Sequence, residues 1–293
     1  MTEITAFAKV NLSLQVRPVD RSGLHELRSL AQSIDLSDVV EVSRGDEDEF
    51  EVDSDEDVPA DENNLAWRAV EAVRLSTRFP LRVRLTKRIP VASGFGGGSA
   101  DAAAALVAAG GMLDATREAV TALGPSLGSD VPFCLTGGRM WIEGYGEVLG
   151  EVPMSTDFAL AIAVPPFELS TAAVYRRWDR LDGPEGLEVA GRDLPPSLRE
   201  YGPLVNDLTP AAMNLRPELA DWISDLGRVW GRPVAMSGSG PSLFAFFHDR
   251  EEATHAASEV RGARATLAAV PVDRGWNGNP GGGLPPPPWS AVA

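Results

Sequence analysis

The stretch Pro90-Val-Ala-Ser-Gly-Phe-Gly-Gly-Gly-Ser-Ala-Asp-Ala-Ala-Ala-Ala105 runs three consecutive glycines into an alanine-rich segment. Alanine favours helix, which is predicted over residues 100–109 and is expected to end at Gly110-Gly111. Glycine lets the preceding backbone take left-handed turns and approach a ligand closely. The first N–H groups of such a helix have no partner within it, and its dipole is positive there, so the stretch predicts a phosphate-binding loop. The alternative is a glycine-rich connection that binds nothing.

The glycine run differs from the best-known phosphate-binding loops. A Walker A loop places a lysine directly after its last glycine, and no lysine follows these glycines. A dinucleotide-binding fingerprint would have a third glycine after Gly94 and Gly96, where Ser99 stands. The His-Arg-Asp and Asp-Phe-Gly signatures of protein kinases are absent from the sequence. The loop therefore predicts phosphate binding of another type.

The composition bounds the class of protein. The 293 residues are 44% hydrophobic, which suits one large domain or two ordinary ones. The formal net charge of −16 argues against nucleic acid or an anionic membrane as a partner. No apolar run approaches the roughly 20 residues of a membrane span, and the first residues lack the pattern of a secretory signal. Cys134 is the single cysteine, so we expect no disulfide, no cysteine metal cluster and a cytoplasmic location.

Hydrophobic periodicity predicts the elements around the loop. Residues 4–16 alternate between apolar and polar side chains, which indicates a half-buried strand with Lys9 and Asn11 side by side on its polar face. Lys9, Lys87 and Arg88 are the cations that could make an anion site locally positive. The pattern also predicts helices over 64–75, 217–231 and 250–261, a helix beginning at Ser170 or Thr171, and strands over 81–85, 158–164, 234–237, 243–247 and 266–272.

The pattern restarts with a strand after about residue 150, which indicates a domain boundary. We predict one domain over 1–153 and a second over 154–274. Residues 275–293 are rich in glycine and proline, and we predict a flexible tail there.

Three blocks in order resemble one family of enzymes. They are Ala8-Lys-Val-Asn-Leu-Ser-Leu14, the segment from Lys87 through Ser99, and Met236-Ser-Gly-Ser-Gly-Pro-Ser242. Together they resemble the GHMP kinases, which phosphorylate small molecules. The resemblance spans about residues 5–272. It implies an α+β fold with an N-terminal domain like ribosomal protein S5 domain 2 and a ferredoxin-like C-terminal domain.

Further blocks at 23–27, 63–67 and 127–133 narrow the resemblance to one branch of that family. Its members phosphorylate the 2-hydroxyl of 4-diphosphocytidyl-2-C-methyl-D-erythritol in the non-mevalonate isoprenoid pathway. The resemblance implies ATP and Mg²⁺ as cofactors and a cytidine diphosphate compound as the small-molecule partner. We expect a monomer or a weak homodimer, with no nucleic acid and no membrane as partner.

The resemblance assigns the chemistry to two residues. Asp130 would accept the proton of the attacking hydroxyl, although local sequence alone favours an aspartate that caps a turn or helix before Val131-Pro132. Lys9 would keep that carboxylate charged and offset charge on the transferred group, although it could be an ordinary exposed lysine. The implied ATP-binding residues are Asn64, Leu65, Pro90, Val91, Ala92, Ser93, Gly94, Phe95, Gly96, Gly97, Gly98, Ser99 and Ala100.

The same resemblance assigns the acceptor site. The implied substrate-binding residues are Asn11, His25, Thr171, Tyr175, Ser237, Gly238, Ser239 and Gly240, with no metal ligands. His25 would read the cytosine and Tyr175 would stack on it, although His25 could be a surface histidine in a loop. The turn around 238–240 could also be a tight hairpin that binds nothing.

The chain departs from the family's usual pattern at four positions: Leu24 in place of tyrosine, and Ser93, Phe95 and Ala100 in the loop. Phe95 is expected to shape the adenine-side wall, and the loss of a hydroxyl at Ala100 is expected to alter affinity for phosphate or Mg²⁺. Asp101 is expected to face away from the phosphates or to contact the substrate through water.

Two other functions remain open from the sequence. The chain could be a GHMP kinase for another acceptor, such as mevalonate or homoserine, which His25, Tyr175 and the three glycines argue against. It could instead be a degenerate member that binds nucleotide or substrate as a sensor, which the presence of Lys9 and Asp130 argues against.

Overall fold

The structure, a computed structural model, describes residues 1–21, 23–74, 79–183 and 186–281, which form two β-sheets and the helices packed on them. The first half of the chain forms β1 (Thr2–Val19), β2 (His25–Arg44), β3 (Glu49–Asp53), α1 (Leu65–Val73), β4 (Leu81–Thr86), α2 (Gly97–Met112), α3 (Arg117–Leu127), α4 (Val131–Thr136), β5 (Arg139–Gly144) and β6 (Val148–Glu151). The second half forms β7 (Ala159–Val164), α5 (Thr171–Arg180), β8 (Leu187–Val189), β9 (Leu204–Asn206), α6 (Thr209–Leu215), α7 (Glu218–Trp230), β10 (Ala235–Met236), β11 (Leu243–Phe247), α8 (Arg250–Ser258), β12 (Ala265–Ala269) and β13 (Trp276–Gly278).

The first sheet is built on the long antiparallel pair β1 and β2, within the strand order β3-β4-β2-β1-β9-β8. Strand β5 pairs with the first part of β2, at residues 27–32, and β6 pairs with β5. The predicted strand over 4–16 is confirmed, but its middle is buried on both faces. Lys9 and Asn11 are each only 5% exposed, because the glycine loop and the turn after β10 cover the polar face.

Helix α2 packs against this sheet and differs at both ends from the prediction. It begins at Gly97, so Gly97 and Gly98 form its first turn, after Gly96 with φ of 68° as N-cap. It continues through the glycines at 110 and 111 to Met112. A Cβ on Gly111 would lie 2.0 Å from the carbonyl oxygen of Pro280, so this glycine serves close packing and not helix termination.

The second sheet has the strand order β10-β11-β7-β12, with every pair antiparallel. In chain order this is 2-3-1-4, with helices between the first two and the last two strands, which is the ferredoxin-like arrangement that was predicted. The predicted apolar strand over 158–164 is confirmed as β7, and all of its residues are buried. Alternate residues of β7 join two different apolar cores, which explains why the run shows no polar alternation.

The remaining predicted helices and strands are found, most of them with shifted ends, and the strand predicted over 243–247 is β11 with the predicted ends. The helix predicted over 64–75 is α1, capped by the Asn64 side chain, and its last predicted residue, Leu75, lies outside the described residues. The helices predicted over 217–231 and 250–261 are α7 and α8. Helix α5 begins at Thr171, as predicted.

The segments on either side of the predicted boundary share a sheet. Strands β8, β9 and β13 lie beyond residue 153 in the chain but belong to the first sheet. The domain boundary at 153/154 stays a prediction, and it does not divide the chain between the two sheets. The predicted tail is wrong for its first residues, because β13 pairs with β1 and Trp276 is 4% exposed. Residues 282–293 of that predicted tail lie outside the described residues.

Candidate active site

A cavity of about 1180 Å³ opens between the glycine loop, β1, the start of β2, α5 and the turn after β10. Most of the residues predicted for the site line it. They are Lys9, Asn11, His25, Asn64, Leu65, Pro90, Val91, Ala92, Ser93, Gly94, Gly96, Gly97, Gly98, Ser99, Asp130, Thr171, Tyr175, Gly238 and Ser239.

Four predicted binding residues face away from the cavity. The Phe95 and Ala100 side chains are 0% and 1% exposed and pack in the core, so the expectation that Phe95 shapes a wall of the site is wrong. The Ser237 hydroxyl instead joins two parts of the site, because it accepts from the Asn11 N–H at 3.2 Å and donates to the Gly94 carbonyl at 3.1 Å. Gly240 packs its backbone against Met236, where a Cβ would come within 2.6 Å of the sulfur.

Lys9 and Asp130 meet at the floor of the cavity. Lys9 Nζ lies 3.3 Å from Asp130 Oδ2 and donates to Asn11 Oδ1 at 2.5 Å. Asn11 in turn donates to the Ser29 hydroxyl at 2.7 Å, which fixes its amide orientation. The Lys9 side chain is 6% exposed, whereas that of Asp130 is 34% exposed, so the carboxylate is the accessible partner of the pair. This arrangement supplies a proton acceptor with a buried cation beside it.

The loop over residues 90–96 packs against Lys9 and Asp130 because Gly94 and Gly96 adopt left-handed backbone conformations. Gly94 has φ of 85°, and a Cβ on it would lie 2.4 Å from the Ser237 carbonyl oxygen. Gly96 has φ of 68°, and a Cβ on it would lie 3.0 Å from Lys9 Cε and 3.7 Å from Asp130 Oδ2. Both positions need glycine for conformation and for space. The first turn of α2 therefore starts directly beside Lys9 and Asp130.

The opposite end of the cavity is aromatic and polar. The His25 and Tyr175 rings lie 5.1 Å apart, and Trp178 meets His25 edge-on at 5.7 Å. His25 Nδ1 lies 2.9 Å from the Arg17 carbonyl oxygen, and His25 Nε2 lies 3.4 Å from Asp179 Oδ2. These contacts hold the imidazole with one ring face beside Tyr175.

One face of α5 supplies this end, and the sequence analysis missed part of it. Thr171, Tyr175 and Asp179 are spaced by four residues and all line the cavity. Thr171 also shares a 2.8 Å hydrogen bond with the Ser239 hydroxyl, which ties the helix to the turn after β10. Asp179 was not predicted, although its spacing from Tyr175 was the signal that could have found it.

Burial sets the protonation of Tyr175. It raises the pKa of the phenol to about 12, and the negative charge of Asp130 adds to the effect. Tyr175 therefore stays protonated near neutral pH and can serve as a stacking surface and hydrogen-bond donor, but not as a base.

A second charged cluster lies beneath the first turn of α2. Lys87 Nζ donates to Asp38 Oδ2 at 2.5 Å and to Asp101 Oδ2 at 2.8 Å, and all three side chains are at least nine-tenths buried. Burial raises the pKa of Asp101 well above its usual range, the Asp38 charge adds to this, and Lys87 opposes it. Burial opposes the charge of Lys87, but the Asp101 and Asp38 carboxylates raise its pKa overall.

This cluster corrects one expectation and bears on another. Lys87 was a candidate cation for the anion site, but its ammonium group is bound by the two carboxylates. Asp101 was expected to face away from the phosphates or to contact the substrate through water; its side chain is 3% exposed, and its Oδ2 accepts a hydrogen bond from Lys87. Together the three side chains link the N-terminal part of α2 to β2 and to the residue that follows β4.

Across residues 1–21, 23–74, 79–183 and 186–281, no helix has the length and apolar character to traverse a bilayer. Within the same ranges, no cluster of three or more His, Cys, Asp or Glu side chains is placed to hold a metal ion.

The sequence and the fold match one family. Residues 64–138 match the model of the GHMP kinases N terminal domain, and residues 191–265 match the GHMP kinases C terminal model. The 4-diphosphocytidyl-2-C-methyl-D-erythritol kinase of Cutibacterium acnes is 40% identical over 284 residues, covering 90% of each chain. The enzyme of that name from Corynebacterium glutamicum strain ATCC 13032 is 37% identical over 279 residues, covering 88% of each chain.

Solved structures agree with the sequence matches. A crystal structure of 4-(cytidine 5'-diphospho)-2C-methyl-D-erythritol kinase superposes with a TM-score of 0.77 at 32% identity, covering 92% of this chain and 98% of that one. A homoserine kinase from Cytophaga hutchinsonii shares the fold at a TM-score of 0.67 and 18% identity, covering 95% of this chain and 97% of that one. The chain belongs to the GHMP kinase family, in the branch of the 4-diphosphocytidyl-2-C-methyl-D-erythritol kinases.

Proposed function

We propose that the chain transfers the γ-phosphoryl group of MgATP to the 2-hydroxyl of 4-diphosphocytidyl-2-C-methyl-D-erythritol, a step of the non-mevalonate isoprenoid pathway. The observation that carries this proposal is the placement of Lys9 and Asp130, 3.3 Å apart, between the glycine loop and the His25–Tyr175 pair in one cavity. A phosphate donor at one end and a cytidine acceptor at the other would meet at that pair.

The nucleotide is assigned to the loop end of the cavity. The free N–H groups of the first turn of α2 and the positive end of its dipole would hold the phosphates, with the Ser99 hydroxyl at the same turn. Leu65 and Asn64 at the start of α1 would border the adenine. The Asn64 amide already caps α1 and donates to the Pro59 carbonyl at 2.8 Å, so it would act through shape more than through a new hydrogen bond.

Asp130 is assigned the proton transfer. Its carboxylate would accept the proton of the 2-hydroxyl as that oxygen forms a bond to the γ-phosphorus and the bond from phosphorus to the β,γ-bridging oxygen breaks, leaving ADP. Lys9 would offset the negative charge gathered between donor and acceptor, and Asn11 would hold Lys9 in place through its 2.5 Å contact. Mg²⁺ would arrive as part of the MgATP substrate, held mainly by phosphate oxygens and water.

The acceptor's base is assigned to the aromatic end. A cytosine stacked on Tyr175 would bury apolar ring surface, and the polar atoms of His25 and Asp179 would lie at its edge. Leu24, 53% exposed at the mouth of the cavity, offers an aliphatic and not an aromatic second face. Thr171, Gly238 and Ser239 line the wall between the two ends and would border the diphosphate.

The shared fold alone does not choose the acceptor, since a homoserine kinase shares it. The aromatic end favours a nucleobase over mevalonate or homoserine, which carry no ring. The buried Lys9 beside an accessible Asp130 favours catalysis over a sensor that only binds. We further propose that the protein acts in the cytoplasm as a monomer or weak homodimer, where ATP is supplied and its single thiol stays reduced.

An acceptor panel tests this function. The purified chain with MgATP is given the cytidine compound, mevalonate and homoserine in turn, and ADP release and the phosphorylated product are measured by mass spectrometry. We expect product only from the cytidine compound, with the new phosphate on its 2-hydroxyl. Turnover of mevalonate or homoserine without turnover of the cytidine compound would overturn the assignment. ATP binding without any turnover would favour the sensor.

A further inference from the structure

Residues 273–280, here called the C-terminal strap, do not line the cavity but contact the elements that carry the site. The strap pairs antiparallel with β1, with Ile4 opposite Gly278 and Ala6 opposite Trp276. The Phe7 N–H also donates to the Gly275 carbonyl at 2.9 Å. Strand β1 carries Lys9 two residues further on, so the strap supports the strand directly before the buried cation.

The strap also holds the helix that begins after Asp130. The Gly275 N–H donates to the Thr136 carbonyl at 3.2 Å, and the Trp276 indole N–H donates to the Leu135 carbonyl at 3.0 Å. Both carbonyls belong to the last turn of α4, whose N-cap is Asp130. Since α4 has only six residues, a shift at its end is transmitted to its start within two turns.

Close backbone contacts leave no room for a side chain at three glycines where the strap meets its neighbours. A Cβ on Gly275 would lie 1.9 Å from the Cys134 carbonyl oxygen, and one on Gly137 would lie 1.8 Å from the Gly275 nitrogen. At the far end of the strap, the Pro280 carbonyl oxygen occupies the space that a side chain on Gly111 of α2 would need. One short segment is therefore fitted against β1, α4 and α2 together.

We propose that the C-terminal strap is a positioning element for the Lys9–Asp130 pair, with Trp276 as its main anchor. This inference rests on the proposed kinase function. Trp276 is 4% exposed and does not line the cavity, so it touches neither substrate. It sets the relation between β1 and α4, and therefore the relation between Lys9 and Asp130. Because displacements of about 1 Å in a reacting group can cost roughly 100-fold in rate, loosening this anchor lowers kcat while leaving both binding ends intact.

The chain offers a matched control for Trp276. Trp230 is also buried, at 6% exposed, and its indole N–H donates to the Ala256 carbonyl at the same 3.0 Å, but it lies in the second sheet's core away from the cavity. Trp276→Phe and Trp230→Phe each remove one indole N–H that donates to a backbone carbonyl, although the Ala256 carbonyl keeps the Glu259 N–H at 3.3 Å as a second donor. We expect a lower Tm in both variants, but about a 5-fold to 10-fold lower kcat only in Trp276→Phe, with both KM values within about 2-fold of wild type. Equal kcat in the two variants would overturn the proposal.

A second readout does not depend on catalysis. We expect hydrogen exchange of the backbone amides in 130–137 to be faster in Trp276→Phe and unchanged in Trp230→Phe. Unchanged exchange in both variants would contradict the strap's role even if kcat fell. Failure of the proposed function would instead show as absent turnover in the wild type, which leaves the exchange measurement valid.

A second pair of variants displaces the strap without altering it. Gly111→Ala places a methyl group against Pro280 from α2, whereas Gly227→Ala in α7 meets no neighbour closer than 3.8 Å. We expect Gly111→Ala to lower kcat and to speed exchange in 130–137, and Gly227→Ala to change neither. This comparison decides the question if Trp276→Phe does not fold, and identical behaviour of the two glycine variants would overturn the proposal.

Discussion

The two ends of the cavity differ in the kind of group that lines them. The nucleotide end is mainly backbone, namely a loop that Gly94 and Gly96 bend into left-handed turns and the free N–H groups at the start of α2. The acceptor end is mainly side chains, in which His25 from β2 meets Tyr175 and Asp179 from α5. A backbone site tolerates changes in side-chain chemistry but not in glycine, whereas a side-chain site behaves in the opposite way. The two ends should therefore fail separately when mutated.

The largest expected effect lies where the two ends meet. Asp130→Asn keeps the shape of the side chain but removes its basicity, so we expect kcat to fall about 10³-fold. Binding of a non-hydrolysable ATP analogue should stay within about 3-fold, because the phosphate-binding backbone is untouched. Single-turnover kinetics and calorimetry measure the two quantities. Turnover close to wild type would remove Asp130 from the mechanism.

The backbone end is tested by a glycine pair. Gly94→Ala forces a left-handed residue and a contact at 2.4 Å with the Ser237 carbonyl, whereas a Cβ on Gly98 meets only Leu65 at an ordinary 3.6 Å. We expect Gly94→Ala to raise KM for ATP about 10-fold or more and to change KM for the acceptor by less than about 3-fold. Thermal unfolding should show a clear loss of stability for Gly94→Ala and little for Gly98→Ala. An equal rise in both KM values of Gly94→Ala would show that the ends are not separate.

The side-chain end is tested by a histidine pair. His25→Ala removes the ring that lies beside Tyr175, and we expect KM for the cytidine acceptor to rise about 10-fold with KM for ATP unchanged. His248, whose side chain is 83% exposed, gives the matched control, because His248→Ala should alter neither KM. Steady-state kinetics with each substrate varied in turn gives both values. A parallel rise in KM for ATP in His25→Ala would point to a general disturbance of the fold.

The smallest expected effect is on stability and concerns the buried cluster of Asp38, Lys87 and Asp101 next to the nucleotide end. The pKa of Asp101 is raised in the folded protein, so its contribution to stability is present at low pH and is lost as pH rises through the folded value. We therefore expect Asp101→Asn to lower the free energy of unfolding less at pH 8 than at pH 5. Denaturant unfolding at both pH values measures this.

Asp157 gives the opposite case. Hydrogen bonds from Ser197 lower the pKa of Asp157 against the effect of burial, so its contribution is present above the unfolded value and is lost as pH falls. Asp157→Asn should therefore cost more stability at pH 7 than at pH 3. The same pH trend in both variants would contradict the assignment of the Asp101 cluster.

The contrast between the ends also explains what the sequence could predict. The nucleotide end is contiguous in the chain, so glycine spacing alone indicates a phosphate loop at 90–100. The acceptor end joins residues about 150 positions apart, and only the family resemblance pointed to His25 and Tyr175 together. Asp179 lay outside the quoted blocks; its four-residue spacing from Tyr175 places it on the same face of α5, but only the fold brings that face beside His25.

The wrong predictions share one physical cause. The surroundings of a residue in the fold were inferred from its type and from its neighbours in the sequence. Phe95 stands in a glycine loop but packs in the core, and the glycines at 111 and 275 mark close packing where helix end and flexibility were predicted. Asp101 and Lys87 were considered separately, but tertiary contacts bring them together with Asp38 in a buried cluster. The hydrophobic pattern predicted single elements well: alternation indicated β1, a continuous apolar run indicated β7, and helical spacing indicated α7.

The most direct test of the account is a crystal structure with a non-hydrolysable ATP analogue and the cytidine acceptor bound together. The account predicts phosphate oxygens within about 3 Å of the backbone nitrogens at the start of α2 and the acceptor's 2-hydroxyl within hydrogen-bond distance of Asp130. It also predicts the cytosine ring against Tyr175. A nucleotide bound away from the 96–99 backbone, or an acceptor hydroxyl remote from Asp130, would contradict it.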